Sequence, residues 1–163
     1  MKKDEILVGI GEYAVSVGDK KLRTVGLGSC VGIIIFDKNK KITGLSHIML
    51  PAMGSKKDRI GKYADTALPK MIEEIIEKGA LKGRLKAKIA GGASVFSFKD
   101  DNLKIGDRNV KAVKEVLKKH RVRIIGEDVG GNRGRTIIFD PITTDLFIRM
   151  VKKGPNEPSK KII

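Results

Sequence analysis

Two side chains in this 163-residue sequence have the chemistry of a nucleophile and its base: Cys30, the single cysteine, and His47, one of two histidines. A free thiol ionises near ~8.5, so it attacks well at neutral pH only beside a group that takes its proton. Cys30 follows Gly26-Leu27-Gly28-Ser29 and opens the apolar run Cys30-Val31-Gly32-Ile33-Ile34-Ile35-Phe36. Glycines before a nucleophile let the chain bend and let backbone N–H groups converge on one point, as stabilising an oxyanion requires. The chemistry expected of such a pair is attack on an acyl carbon. His120 ends a lysine-rich helical segment, where complementing the helix dipole is role enough. Against this stands the ordinary fate of a lone cysteine at the head of an apolar strand, which is to be an inert core residue.

The elements around the pair must bring it together. The run from Cys30 reads as a strand buried on both faces. Asp37-Lys38-Asn39-Lys40 reads as a turn, and Lys41 to Met49 as the returning strand of a hairpin that Pro51 ends. A hairpin turning at Lys38 to Lys40 pairs Cys30 near Ile48 and leaves His47 within one residue of it. A slip of one residue moves His47 to the other face, so the pattern permits contact without fixing it. A third group should orient the imidazole. Thr24, on the strand entering the glycine turn, is best placed, with Ser29 and Ser46 as alternatives.

The rest of the chain reads as one α/β (α+β type) domain, 1–163, with more strands than helices. Ile6 to Val17 is a broken strand pattern and Leu22 to Val25 a short strand. Ala64, Ala67, Leu68, Met71, Ile72, Ile75 and Ile76 mark a helix that Gly79 closes, with Pro69 awkward unless near its start. Leu85 to Ala90 is a strand running into Gly91-Gly92-Ala93-Ser94. A second helix carries Val110, Val113, Val116 and Leu117, capped by Asp107 or Asn109. Val122 to Ile125, Arg135 to Phe139 and Asp145 to Met150 are three closing strands. The tail, 154–163, has loop composition and is expected to be loosely held.

Composition narrows the classes. The net charge of +15 raises nucleic-acid binding. The lysines are spread along the chain, aromatics are 4%, and no zinc spacing or recognition-helix pattern occurs, which weakens that reading; a basic surface serves equally well to attract an acidic protein partner. No signal-peptide core or run of ~20 apolar residues is present, so a cytoplasmic protein without membrane insertion is expected. One cysteine cannot form an internal disulfide. Neither a metal nor a cofactor is expected.

Several blocks, in order, are similar to one family. Thr24-Val25-Gly26-Leu27-Gly28-Ser29-Cys30 and Ser46-His47-Ile48-Met49-Leu50-Pro51 come first. Gly61-Lys62-Tyr63-Ala64-Asp65, Lys88-Ile89-Ala90-Gly91-Gly92-Ala93, Ile105-Gly106-Asp107-Arg108-Asn109 and the segment from Glu127 to Arg135 follow. Together they resemble CheD, the chemoreceptor glutamine deamidases, over nearly the whole chain from Val8 to about Met150. The resemblance implies a layered α/β sandwich like that of toxin-type cysteine deamidases. It implies a Cys30–His47–Thr24 triad that converts glutamine side chains of methyl-accepting chemotaxis receptors to glutamate through a thioester. It further implies an oxyanion site at the turn of Gly28 and Ser29, and the phosphatase CheC as a partner. Phe96, Phe98, Arg133 and Arg135 are candidate contacts for substrate or partner. A chemotaxis adaptor that binds CheC and receptors, or a receptor methylesterase using the same thiol, would fit the same residues.

Overall fold

The computed structural model describes residues 5–94, 104–152, 154–155 and 159–163. Among the described residues ten strands form two five-stranded sheets, and two helices cover one of them. The strands are β1 (Glu5–Leu7), β2 (Tyr13–Val17), β3 (Lys21–Leu27), β4 (Val31–Asp37), β5 (Ile42–Ile48), β6 (Lys86–Gly91), β7 (Arg123–Val129), β8 (Arg135–Phe139), β9 (Leu146–Met150) and β10 (Lys160–Ile162). The helices are α1 (Ala64–Glu77) and α2 (Ile105–Lys119). The first sheet runs β2-β5-β4-β6-β7 and the second β1-β3-β8-β9-β10.

The first sheet is the middle of three layers, which explains its sequence. Val31, Ile33, Ile35 and Ile48 pack against Ala67, Leu68, Met71 and Ile75 of α1 and Val113 and Leu117 of α2. The alternating positions Ile34, Phe36 and Leu45 face Leu22, Leu27, Ile137, Phe139 and Leu146 of the second sheet. Every residue of β4 and β5 is therefore buried, and β4 reads as one apolar run instead of alternating. The architecture is the layered α+β sandwich that the resemblance implies. No helix among the described residues is long and apolar enough to cross a membrane.

The hairpin forms as expected but one residue out of the expected register: Val31 pairs with Ile48 and Gly32 with His47. That shift decides the site. Side chains directly opposite share a face, so His47 lies on the face of Gly32, and Cys30, two residues before Gly32, belongs to that face too.

Three further expectations change. Pro69 is the sixth residue of α1, within the second turn, where it removes one backbone hydrogen bond. Neither Asp107 nor Asn109 caps α2; the helix starts at Ile105, its N-cap position is Lys104, which makes no side-chain capping hydrogen bond, and Asn109 is buried inside it. The end of the tail is held: β10 pairs antiparallel with β9, and Ile163 exchanges two backbone hydrogen bonds with Leu146. Two lysines followed by two isoleucines do not alternate, and all three residues of this edge strand are exposed, so the segment carries little strand signal.

Candidate active site

Thr24 and His47 meet where the two sheets face each other, and neither side chain is accessible. Thr24 Oγ1 lies 2.7 Å from His47 Nδ1 and 2.7 Å from the carbonyl of Val8. This pair of contacts fixes the proton. A carbonyl can only accept, so the single hydroxyl hydrogen of Thr24 goes to Val8, and the hydroxyl oxygen must accept from His47 Nδ1–H. The neutral imidazole then presents Nε2 as a bare lone pair, and Nε2 is buried with no hydrogen-bond partner. A buried polar atom without a partner is costly, and an orphaned imidazole nitrogen is free to accept a proton. Of the three candidates for the orienting group, only Thr24 touches the ring among the described residues. Ser46 points to the opposite face of β5, toward the helices.

Cys30 is partly buried against the core between the sheets. Burial raises its thiol above the ordinary range, and its own backbone N–H, lying against the sulfur, lowers it in part. Burial also depresses the His47 imidazole to about 4. Both effects disfavour charge, so at neutral pH the thiol and the imidazole each rest in the neutral form.

The turn before Cys30 is built by backbone bonds. Gly26 sits at φ +76, in the left-handed region, and marks the irregularity in the pairing of β3 with β8 between Thr24 and Leu27. Gly28 donates its N–H to the carbonyl of Gly26 at 3.1 Å, so Gly28 shapes the turn and has no N–H left for an oxyanion. The three carbonyls that follow are all captured: Gly28 by Ala93 N at 2.8 Å, Ser29 by Asn109 Nδ2 at 2.9 Å, and Cys30 by Gly92 N at 2.8 Å. The Gly91-Gly92-Ala93 turn is thus the frame of the Cys30 segment. Asn109 is the residue that sequence reasoning misassigned. Its signal was present: a polar side chain three and four residues from Gly106 and Val113, on the buried stripe of an amphipathic helix.

The other candidates fall elsewhere. Arg135 is 6% exposed, with Nε on Asp128 at 3.0 Å and Nη2 on the carbonyl of Gly130 at 2.9 Å; Lys161 completes the cluster on Asp128 at 2.9 Å. Its guanidinium ties the two sheets together and is not presented to a partner. Arg133 Nη2 lies 2.9 Å from Met150 Sδ. Phe96 and Phe98 lie outside the described residues. A depression of about 270 Å³ beside the glycine turn is lined by Gly26, Gly28, Gly134, Thr136, Met150 and Val151. A larger one, about 490 Å³, lies on the outer face of the second sheet, over Arg23, Ile138, Phe147 and Arg149, on the opposite side of β3 from the Thr24 hydroxyl. Among the described residues no three His, Cys, Asp or Glu side chains are grouped to hold a metal ion.

Comparison with known proteins adds relatives. A family model described as CheD chemotactic sensory transduction matches residues 49–150. A protein of Clostridium novyi (strain NT) named probable chemoreceptor glutamine deamidase CheD is 50% identical over 158 residues, covering 94% of this chain and 98% of that protein. A protein of the same name from Clostridium botulinum (strain Hall) is 49% identical over 157 residues, covering 94% and 97%. Among solved structures, the Bacillus licheniformis hypothetical protein YfiH aligns with a TM-score of 0.46 at 11% identity, over 69% of this chain and about half (49%) of that one.

Proposed function

This chain belongs to the CheD family, and from that membership we propose that it is a chemoreceptor glutamine deamidase with Cys30 as nucleophile, His47 as base and Thr24 as the group that orients the imidazole. The observation that carries the residue assignment is the proton-locked His47: Nδ1 is held by Thr24, and Nε2 is open on the face shared with Cys30.

The reaction follows from that state. As a glutamine side-chain amide approaches, His47 Nε2 takes the Cys30 proton while the sulfur bonds to the amide carbon. The carbonyl oxygen becomes an oxyanion, stabilised by the N–H of Cys30 with that of Ser29 beside it. The His47 imidazolium then gives its proton to the nitrogen, the carbon–nitrogen bond breaks, and ammonia leaves a thioester on Cys30. Water attacks the thioester with His47 again as base, which releases glutamate and restores the thiol. The Thr24 hydroxyl keeps the ring in the tautomer that has Nε2 free; being neutral, it stabilises the imidazolium less than a carboxylate would. This suits a nitrogen whose cation is already disfavoured by burial.

The net charge of +15 supports an acidic polypeptide substrate. CheC is the second partner in this reading, on the family resemblance. The deciding experiment incubates the protein with a chemoreceptor cytoplasmic fragment and reads peptide masses and released small molecules. Glutamine-to-glutamate conversion with stoichiometric ammonia is expected. Methanol release from a methylated fragment without any glutamine conversion would replace the reading by a methylesterase. Binding without either product would leave an adaptor.

A further inference from the structure

We propose that Asn109 is a positioning residue for the oxyanion site: it sets the direction of the Cys30 N–H from the helix layer. The proposal rests on the deamidase reading above and extends it to a residue outside the triad.

Asn109 is fully buried on α2 and donates both amide hydrogens, one to the carbonyl of Ser29 and one to that of Met49, each at 2.9 Å. Both partners can only accept, so the amide orientation is fixed: a flipped side chain would set its oxygen against two carbonyl oxygens. The Ser29 contact acts on the nucleophile through peptide geometry. The Ser29–Cys30 peptide is planar and trans, so its C=O and N–H point in opposite directions. Holding the Ser29 carbonyl toward α2 turns the Cys30 N–H away from the helices, to the face that carries the thiol and His47. The Met49 contact fixes the chain two residues after His47 to the same amide, so one side chain spans the nucleophile turn and the base strand.

The sequence makes room for this reach. A Cβ on Gly106 would stand 2.5 Å from the carbonyl oxygen of Gly92 and 2.7 Å from that of Ala93, so α2 can lie directly on the framing turn only because residue 106 is glycine. Asn109 Oδ1, in contrast, is buried without a partner. An apolar residue would avoid that cost, so the two donated bonds are what the position is for.

The test separates oxyanion stabilisation from thiol reactivity. Alkylation of Cys30 by iodoacetamide is a displacement at a saturated carbon; it needs the sulfur and its proton acceptor but forms no oxyanion. Asn109→Ala and Asn109→Ser are each assayed, below their melting onset, for deamidation of a receptor fragment and for alkylation rate at one pH. In both variants kcat for deamidation should fall roughly a hundredfold, as for loss of one oxyanion donor. KM and the alkylation rate should stay within about twofold of wild type. Two results overturn the proposal: kcat unchanged, or kcat and alkylation falling together, which would mean that Asn109 only holds the fold or the thiol–imidazole pair. Failure of wild type to deamidate the fragment would instead overturn the functional reading itself.

Discussion

Strand β4 carries a buried polar cluster at each end, and the two are built on opposite rules. Beyond its last apolar residue is Asp37, inaccessible to solvent. One carboxylate oxygen accepts the N–H groups of Asn39 and Lys40, and the other that of Leu81, with Arg84 Nε at 3.4 Å. Burial alone would raise the Asp37 pKa, but these donors more than offset it and hold the carboxyl below its ordinary range. At the other end stand Cys30, His47 and Thr24, where burial acts on the imidazole with no bond to its second nitrogen. A satisfied buried group stabilises; one left open is costly and is available for chemistry. Asp37 closes the hairpin turn and ties in the segment after α1. His47 waits.

Exchanging the roles of the two ends is the strongest way to break this contrast. His47→Ala should cut deamidation by roughly four powers of ten or more and leave a cooperative melt. Asp37→Ala should do the reverse, lowering stability by about 2–4 kcal/mol in chemical denaturation while the folded fraction keeps its kcat. Similar activity losses in both variants would erase the distinction.

Thr24 sharpens the contrast at the open end. Thr24→Val keeps the shape but removes the acceptor for Nδ1–H, so either nitrogen can carry the proton; kcat should fall by about one to two powers of ten, and Thr24→Ser should recover most of it. Equal rates for Val and Ser would remove Thr24 from the mechanism.

The smallest effects are those of pH. With His47 held at about 4, deamidation should persist through pH 5 and fall only as the imidazole protonates near that value. An acid limb at the ordinary histidine value of ~6.5 would contradict the burial of the base. Stability follows the same group. Between ~6.5 and about 4 the unfolded histidine binds a proton that the folded one does not, so this contribution is complete above ~6.5 and is lost as pH falls toward 4. Its size is of the order of 3 kcal/mol. The Asp37 contribution lies lower, present above the ordinary carboxylate pKa and lost as pH falls through the depressed one. His47→Gln should flatten the first slope and leave the second.

How much of this was legible depended on sequence distance. The hairpin and both helices could be read because each rests on residues close in the chain or on hydrophobic period, and Cys30 and His47 stood out as rare residue types. The register could not, because β4 and β5 are buried on both faces, so no alternation of apolar and polar residues marks one register over its neighbour. The proton lock on His47 needs Thr24 and Val8 from the second sheet, a packing that no local pattern encodes. Asn109 was read as a cap because asparagine favours that position; its real partners lie 80 and 60 residues away. Arg135 looked like a surface contact because nothing local shows that Asp128 and the carbonyl of Gly130 enclose it.

We place the chemistry at the open end of β4, with Cys30 as nucleophile. The most direct measurement is glutamine-to-glutamate conversion on a chemoreceptor cytoplasmic fragment, followed by peptide mass, for wild type beside Cys30→Ala. Wild type should convert specific glutamines, and Cys30→Ala, folded and equally stable, should convert none above the spontaneous rate. Conversion persisting at the wild-type rate in Cys30→Ala would place the chemistry elsewhere in the molecule.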